Sequence, residues 1–407
     1  MSVIKNLAEH YTRPDWARRI NLMGDSVGGA QHLFPFDAGE LIASATASTG
    51  GLDDFGDFDG DWRARFTHLL EQLDATGKLN ALGRLMTRQE LLRGLRTRLL
   101  LARARREQPA IANEKVEEPL VITGPARSGT SILFELLSLD PGARAPQAWE
   151  GIHPLPWDGA DADARLVLAQ CEQEFWADVQ PEFASIHELR SDLPVECVTL
   201  TLPSFTGGHW GMIANLPEWV PDYPASMAYH RAVLQTLQHG APKQNWVVKT
   251  PLYIVFVDLL FDTYPDAWMI HTHRDPLKTE PSGLSTLATV RWERSDEVEL
   301  PEAGAGMTDM MILLAKRRAA GELPRVVDSH FSDLVADPVG AVEKLYGQMN
   351  RPFLGAHADA IRRYIAAKPK GKFGRHKYSP EEWGFDTAAL RERTRPYTDH
   401  YGITLED

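Results

Sequence analysis

The chain has 407 residues, and at roughly 150 residues per domain that length allows two or three domains, or one domain with large insertions. Apolar residues make up 43% and charged residues 24%, the balance of a globular protein, which argues against disordered, collagen-like, coiled-coil and low-complexity chains. With 43 Lys+Arg against 56 Asp+Glu the formal charge is −13, so the chain is not expected to bind nucleic acid or an anionic membrane over a broad surface, and only a local basic pocket stays open.

Cys171 and Cys197 are too few for a disulfide framework, and no CxxC or Cys/His cluster has zinc-ligand spacing, so no metal is expected. A reducing cytoplasm is the expected compartment. MSVIKNLAEHYTRPDW lacks the apolar core of a signal peptide, and no stretch reaches the ~18 apolar residues of a transmembrane segment.

Residues up to about 118 read as helical. In 59-DGDWRARFTHLLEQLDATG, Trp62, Phe66, Leu69, Leu70 and Leu73 recur at helical spacing, with Asp59 or Asp61 to cap the start and Gly77 to end it. The acidic run before it is not an EF-hand loop, because Phe55 and Gly51 stand where Gly60 and Gly56 would require an acid. It reads as a solvated acidic turn. From Arg84 to Arg106 eight arginines (84, 88, 93, 96, 98, 103, 105, 106) alternate with leucines. That pattern predicts a solvated arginine face over a leucine core, in preference to a membrane or partner surface.

After the charged stretch NEKVEEP, the apolar run Leu120 to Ile122 meets a Gly-rich turn and a helix containing Ile132, Leu133, Leu136 and Leu137. Further strands are predicted at Trp246 to Val248, Trp268 to Ile270 and Arg325 to Asp328, the last preceding a helix from about Pro338 to Met349. Strands alternating with helices imply a parallel sheet covered on both faces. More than 100 Trp- and Pro-rich residues separate the first two of these strands, which implies a helical insertion.

The segment 120-LVITGPARSGTSILFELLSLD carries the chemistry. A Gly-rich turn entering a helix offers backbone N–H groups and the positive end of a helix dipole to a phosphate-like anion. Against the nucleotide pattern GxxxxGK[ST], Gly124 and Gly129 fit, but Thr130 stands in place of the lysine and a basic residue, Arg127, lies inside the loop. The ligand's terminal group is therefore expected to differ from a γ-phosphate.

PxRSGTS after a buried strand resembles the 5′-phosphosulfate loop of sulfotransferases that use 3′-phosphoadenosine 5′-phosphosulfate (PAPS). The resemblance implies that Arg127 contacts the sulfuryl donor and that Ser128, Gly129, Thr130 and Ser131 hold the 5′-phosphate. In 267-AWMIHTHRDPLKTEPSGLS, Arg274 follows a strand and Ser282 lies eight residues on, the family's spacing for gripping the 3′-phosphate. Pro276 suits a helix start, whereas Pro281 is expected to kink the helix that presents Ser282. HRD at 273 to 275 also matches a protein-kinase catalytic loop, but Glu280 stands where that loop needs Asn and no DFG follows.

The segment 246-WVVKTPLY is similar to the Lys-x-Pro strand end of tyrosylprotein and related bacterial sulfotransferases, which implies that Lys249 reaches the transferring group. Three residues compete as general base: the resemblance to the tyrosylprotein branch puts Glu150, in 146-PQAWEGIHP, first, with His153 and Glu196, in 192-DLPVEC, equal behind it. The tail 370-KGKFGRHKYSPEEWGFD is similar to that of bacterial members, and its cations are expected to cover the 3′-phosphate.

The family implies an α/β, P-loop-like three-layer fold with a central parallel sheet. The expected organisation is a helical N-terminal region over 1–118 packed on a sulfotransferase domain over 119–407, with a helical acceptor-binding insertion at 151–245. The implied reaction is in-line transfer of a sulfuryl group from PAPS, as co-substrate, to the hydroxyl of a small-molecule, lipid or carbohydrate acceptor, without a metal. Arg127 and Lys249 would stabilise charge on the departing bridging oxygen. The stretch 203-PSFTGGHWGMIANLPEWVPDY reads either as a lid over the acceptor or as a packed Trp/Pro loop. Two other readings compete: a P-loop nucleotide kinase or NTPase, and a non-catalytic nucleotide-binding protein of the same fold.

Overall fold

A computed structural model describes residues 7–157, 159, 162–368 and 378–406 of the chain. Five strands form its sheet: β1 (Leu120–Thr123), β2 (Ala143–Arg144), β3 (Asn245–Lys249), β4 (Trp268–His273) and β5 (Val326–His330), in the order β2-β3-β1-β4-β5. Every neighbouring pair is parallel. β1 is buried along its whole length, as a central parallel strand covered by helices must be.

Alternation along the strands divides the core in two. Leu120, Ile122, Val247, Ile270 and Val327 pack with Leu133, Phe134 and Leu137 on one face. Val121, Val248, Met269 and Val326 pack with Tyr229, Val233, Leu260 and Leu314 on the other. The chain leaves β1 to one side for β2 and β3, then crosses to the other side for β4 and β5. The loop after β1 therefore lies at a topological switch point, where open α/β sheets bind ligands at the carboxyl ends of their strands.

A third core joins the N-terminal helices to the insertion. Phe66, Leu69 and Leu73 of the Trp62–Ala75 helix and Leu91, Leu95 and Leu99 of the Ala81–Glu107 helix pack against Phe205, Trp210, Ile213 and Trp219. Phe205 and Trp210 are fully buried, so the segment expected as either a lid or a packed loop is packed. Asp61 caps the first of these helices by accepting from the Ala64 amide, at 3.0 Å.

Two expectations need correction here. The acidic run is not wholly solvated: Asp59 is buried and accepts from Arg98 Nη2 and Nη1 at 2.7 and 2.8 Å and from Arg65 Nη2 at 2.7 Å. The arginine face is likewise not uniformly solvated, because Arg98 and Arg84 are buried, Arg84 against Asp74 at 2.7 Å. Charges removed from water must be paired, and these helices bury their cations against acids from neighbouring segments. Pro281 lies inside its helix, which runs from Pro276 to Arg294. Burial of this stretch, Pro281 and Ser282 included, offsets the one backbone bond that proline removes. No helix among the described residues is long and apolar enough to cross a membrane.

Candidate active site

The loop from Gly124 to Gly129 joins β1 to the Thr130–Leu137 helix. Gly124 has φ +144°, and a Cβ there would lie 2.1 Å from Thr272 Oγ1 on β4, so only glycine fits. Ser128 Oγ is buried between Pro125 O, at 2.7 Å, and Thr272 Oγ1, at 2.5 Å. Its side chain thus pins the loop to β4, and its amide donates to Pro125 O at 3.3 Å, which leaves the amides of the helix's opening turn to face a ligand. Thr130 is buried, and Ser131 is exposed at the loop mouth.

Lys249 ends β3, in register with Ile122, and only 2% of it is exposed. Its ammonium is ion-paired with Glu196 and lies 3.5 Å from Ser131 Oγ. Glu196 immediately precedes the short Cys197–Thr201 helix and is placed by backbone pairing, Ala148 N to Leu193 O at 2.8 Å and Val195 N to Pro146 O at 2.9 Å. Burial pushes the Glu196 carboxyl up, but Lys249 and then His187 outweigh it and hold it below its ordinary value. His187 Nε2 lies 3.9 Å from Glu196, and burial followed by the charge of Lys249 holds this imidazole below its usual value.

Arg274 directly follows β4. Its guanidinium lies 4.0 Å above the Phe331 ring, donates from Nη1 to Arg127 O at 2.8 Å, and is gripped by Glu406. Arg127 is exposed on the loop, yet partial desolvation of its guanidinium outweighs the pull of Tyr378 and, with the neighbouring Arg274, holds it below its ordinary value. Lys249, the β1 loop and Arg274 thus come from three adjacent strands, β3, β1 and β4, whose carboxyl ends align. Ser282 is fully buried and its Oγ has no hydrogen-bond partner among the described residues.

The other two base candidates lie elsewhere. Glu150 closes a capping box on the Ala148–Ile152 helix, accepting from Gln147 N at 3.1 Å and from Arg144 Nη2 at 2.6 Å. Arg144 pairs in register with Trp246, three residues or ~10 Å below Lys249 along the sheet. His153 bonds Glu172 at 2.9 Å and lines a separate cavity of about 580 Å³ with Leu92, Arg96 and Trp157. The first-ranked base of the sequence reading is therefore held by a structural job, and of the three candidates Glu196 alone is in contact with Lys249. His187 and Glu406 are site neighbours that the sequence reading missed; neither sits in a motif.

Residues 370–377 of the basic tail lie outside the described residues. One group of metal-type side chains meets that spacing alone did not reveal, His271, His273 and Asp328, with donor atoms within 4.8 Å of one another. Asp328 is already bound by Arg318 at 2.5 and 2.8 Å, and His273 by Tyr397 at 3.0 Å.

Residues 119–354, more than half of the chain, match the model of the sulfotransferase family. The chain belongs to that family. Its activity class is accordingly sulfuryl transfer. This sulfotransferase is similar to the omega-hydroxy-beta-dihydromenaquinone-9 sulfotransferases Stf3 of Mycobacterium tuberculosis and Mycobacterium bovis. Each is 22% identical over 303 residues, which cover 70% of this chain and 75% of the relative. Among solved structures, sulfotransferase STF9 from Mycobacterium avium superposes with a TM-score of 0.76 at 23% identity, covering 90% of this chain and 97% of that one. Sulfotransferase STF1 from Mycobacterium tuberculosis gives 0.68 at 25% identity, covering 87% and 97%. The sulfotransferase fold thus extends well beyond residues 119–354 to most of the chain.

Proposed function

We propose that this sulfotransferase takes PAPS as donor and transfers its sulfuryl group to the hydroxyl of a lipid or other hydrophobic small-molecule acceptor, with Glu196 as general base. The observation that carries the reading is the Lys249–Glu196 pair at the mouth of the β1 loop. Arg127 and the amides of Gly129, Thr130 and Ser131 cradle the 5′-phosphosulfate on the loop that Ser128 pins, while Arg274 and the Ser282 hydroxyl take the 3′-phosphate.

As the acceptor oxygen bonds to sulfur, the bond from sulfur to the bridging oxygen breaks and negative charge grows on the departing nucleotide. Lys249 and Arg127 stand beside that charge and stabilise it more in the transition state than in the ground state. Once Lys249 turns toward the donor, Glu196 loses the cation that held its proton affinity down. It is then fit to accept the acceptor's hydroxyl proton, and the products are a sulfate ester and 3′-phosphoadenosine 5′-phosphate.

The menaquinone-derived acceptor named for the Stf3 relatives supports a lipid acceptor. The sequence-based boundaries stand within this proposal: residues 1–118 brace the 119–407 domain, and 151–245 supply the acceptor side. Free Cys171 and Cys197 suit a reducing cytoplasm.

The test is incubation of the protein with PAPS and panels of phenols, sterols, glycolipids and quinol-type alcohols, followed by mass spectrometry. A product heavier by SO₃, formed together with 3′-phosphoadenosine 5′-phosphate, is expected. Magnesium-dependent ATP turnover in place of that product would restore the nucleotide-kinase reading. Tight nucleotide binding without transfer would leave a binding protein.

A further inference from the structure

The Thr387–Tyr401 helix ends at Gly402, whose φ of +60° turns the chain back toward the end of β4. There Glu406 Oε1 accepts from Arg274 Nε at 2.6 Å and Oε2 accepts from Nη2 at 2.7 Å. This is the side-on, two-bond fork by which a guanidinium also takes two phosphate oxygens. The backbone is fastened independently: Glu406 N donates to Asp275 Oδ2 at 2.6 Å and Arg391 Nη2 donates to Glu406 O at 3.0 Å. Arg391 Nη1 meanwhile pairs with Asp275 Oδ1 at 2.6 Å.

We propose that the segment after the last helix is a built-in competitor for the nucleotide's 3′-phosphate, with the Glu406 carboxylate as the competing group. The inference rests on the assignment of Arg274 to the 3′-phosphate made above. With Nη1 already donating to Arg127 O, Glu406 occupies one of the fork faces that remain and neutralises the charge that would attract the phosphate. A phosphate dianion brought to the same guanidinium meets a carboxylate already in place, and like charges at that separation repel. The Glu406 side chain is 30% exposed, so it has room to swing out while its backbone stays fastened to Asp275 and Arg391. A nucleotide bearing a 3′-phosphate thus has to displace Glu406, whereas one without it does not.

The experiment is calorimetric titration of the full chain with 3′-phosphoadenosine 5′-phosphate and, separately, with adenosine 5′-phosphate. Wild type is compared with Glu406→Gln, Glu406→Ala, Arg274→Ala and the Arg274→Ala/Glu406→Gln double variant, with melting curves to verify folding. Gln is isosteric and keeps both backbone contacts, so it remains informative should the Ala variant unfold. Both Glu406 variants are expected to bind the 3′-phosphorylated nucleotide about tenfold more tightly, with adenosine 5′-phosphate unchanged and the gain absent in the double variant. Unchanged or weaker binding by Glu406→Gln, with Arg274→Ala still losing the preference for the 3′-phosphate, would overturn the competitor and make Glu406 a positioning residue. Full retention of that preference by Arg274→Ala would instead remove the assignment of Arg274 itself, and the competitor with it.

Discussion

Replacing Glu196 and Glu150 by glutamine, one at a time, separates the base that contact geometry favours from the base that sequence position favours. Gln at 196 keeps the shape of the side chain and a hydrogen bond for Lys249, but it cannot take the hydroxyl proton. General bases contribute ~10²–10⁴-fold, so turnover should fall by that factor, about 3–5 kcal/mol of barrier. Affinity for 3′-phosphoadenosine 5′-phosphate should hold or rise, because Lys249 is released from its counter-ion. Glu150 is 8% exposed and accepts from Gln147 N at 3.1 Å and Arg144 at 2.6 Å. Gln at this position can still close the capping box, so Glu150→Gln loses mainly the incompletely buried ion pair and should cost up to ~1 kcal/mol of stability while turnover persists. Single-turnover transfer from labelled PAPS, paired with urea denaturation, reads both effects. Glu150→Gln losing transfer at native stability, with Glu196→Gln still active, would refute the reasoning.

Gly124→Ala places a methyl group 2.1 Å from Thr272 Oγ1 in a backbone conformation that alanine resists; nucleotide binding should be lost in titration and stability lowered by about 1–3 kcal/mol. Arg98→Met leaves Asp59 buried with only Arg65 as its cation, which should cost about 3–5 kcal/mol by urea denaturation, and a cost under 1 would show that the pair is not buried in solution. Burial pushes the Asp328 carboxyl up, but hydrogen bonds from His273 and Arg318 outweigh it and hold it well below the ordinary value. Its stabilisation is therefore complete above the unfolded value of about 3.9 and is lost as pH falls toward the folded one. Asp328→Asn should accordingly be less stable than wild type at pH 7, with the gap in urea midpoint narrowing below about pH 4.

The strands and the loop were legible because burial and backbone geometry write themselves into local pattern. Leu120 to Ile122 reads as a buried strand, and Gly124 and Gly129 mark the turn that only glycine makes without strain. The strand ends were not legible. β3, β4 and β5 run on through Lys249, His271, His273 and His330, polar residues that break the apolar signal at the very edge where the site forms. β2 was missed because two residues, Ala143 and Arg144, carry no period at all. The contact of Glu196 with Lys249 was not legible either, because no sequence pattern shows that 193–195 pairs with 146–148. Asp59 and Arg98 looked solvated because pairing between residues 39 apart is invisible to helical periodicity.

The same long-range pairing explains how an acidic protein holds a cationic site at rest. Lys249 is almost fully buried, and an unpaired ammonium there would cost several kcal/mol. Glu196 removes that cost, Glu406 does the same for Arg274, and Asp275 for Arg391. On the proposed reaction, Glu196 and Glu406 are then also competitors of the polyanion, and nucleotide binding would exchange one set of counter-charges for another. The gain in affinity is smaller than bare cations would give. In the proposed reaction, the carboxylate that Lys249 gives up lies beside the loop mouth where the acceptor hydroxyl would arrive, so the exchange that binds the donor would also ready Glu196 to act as base.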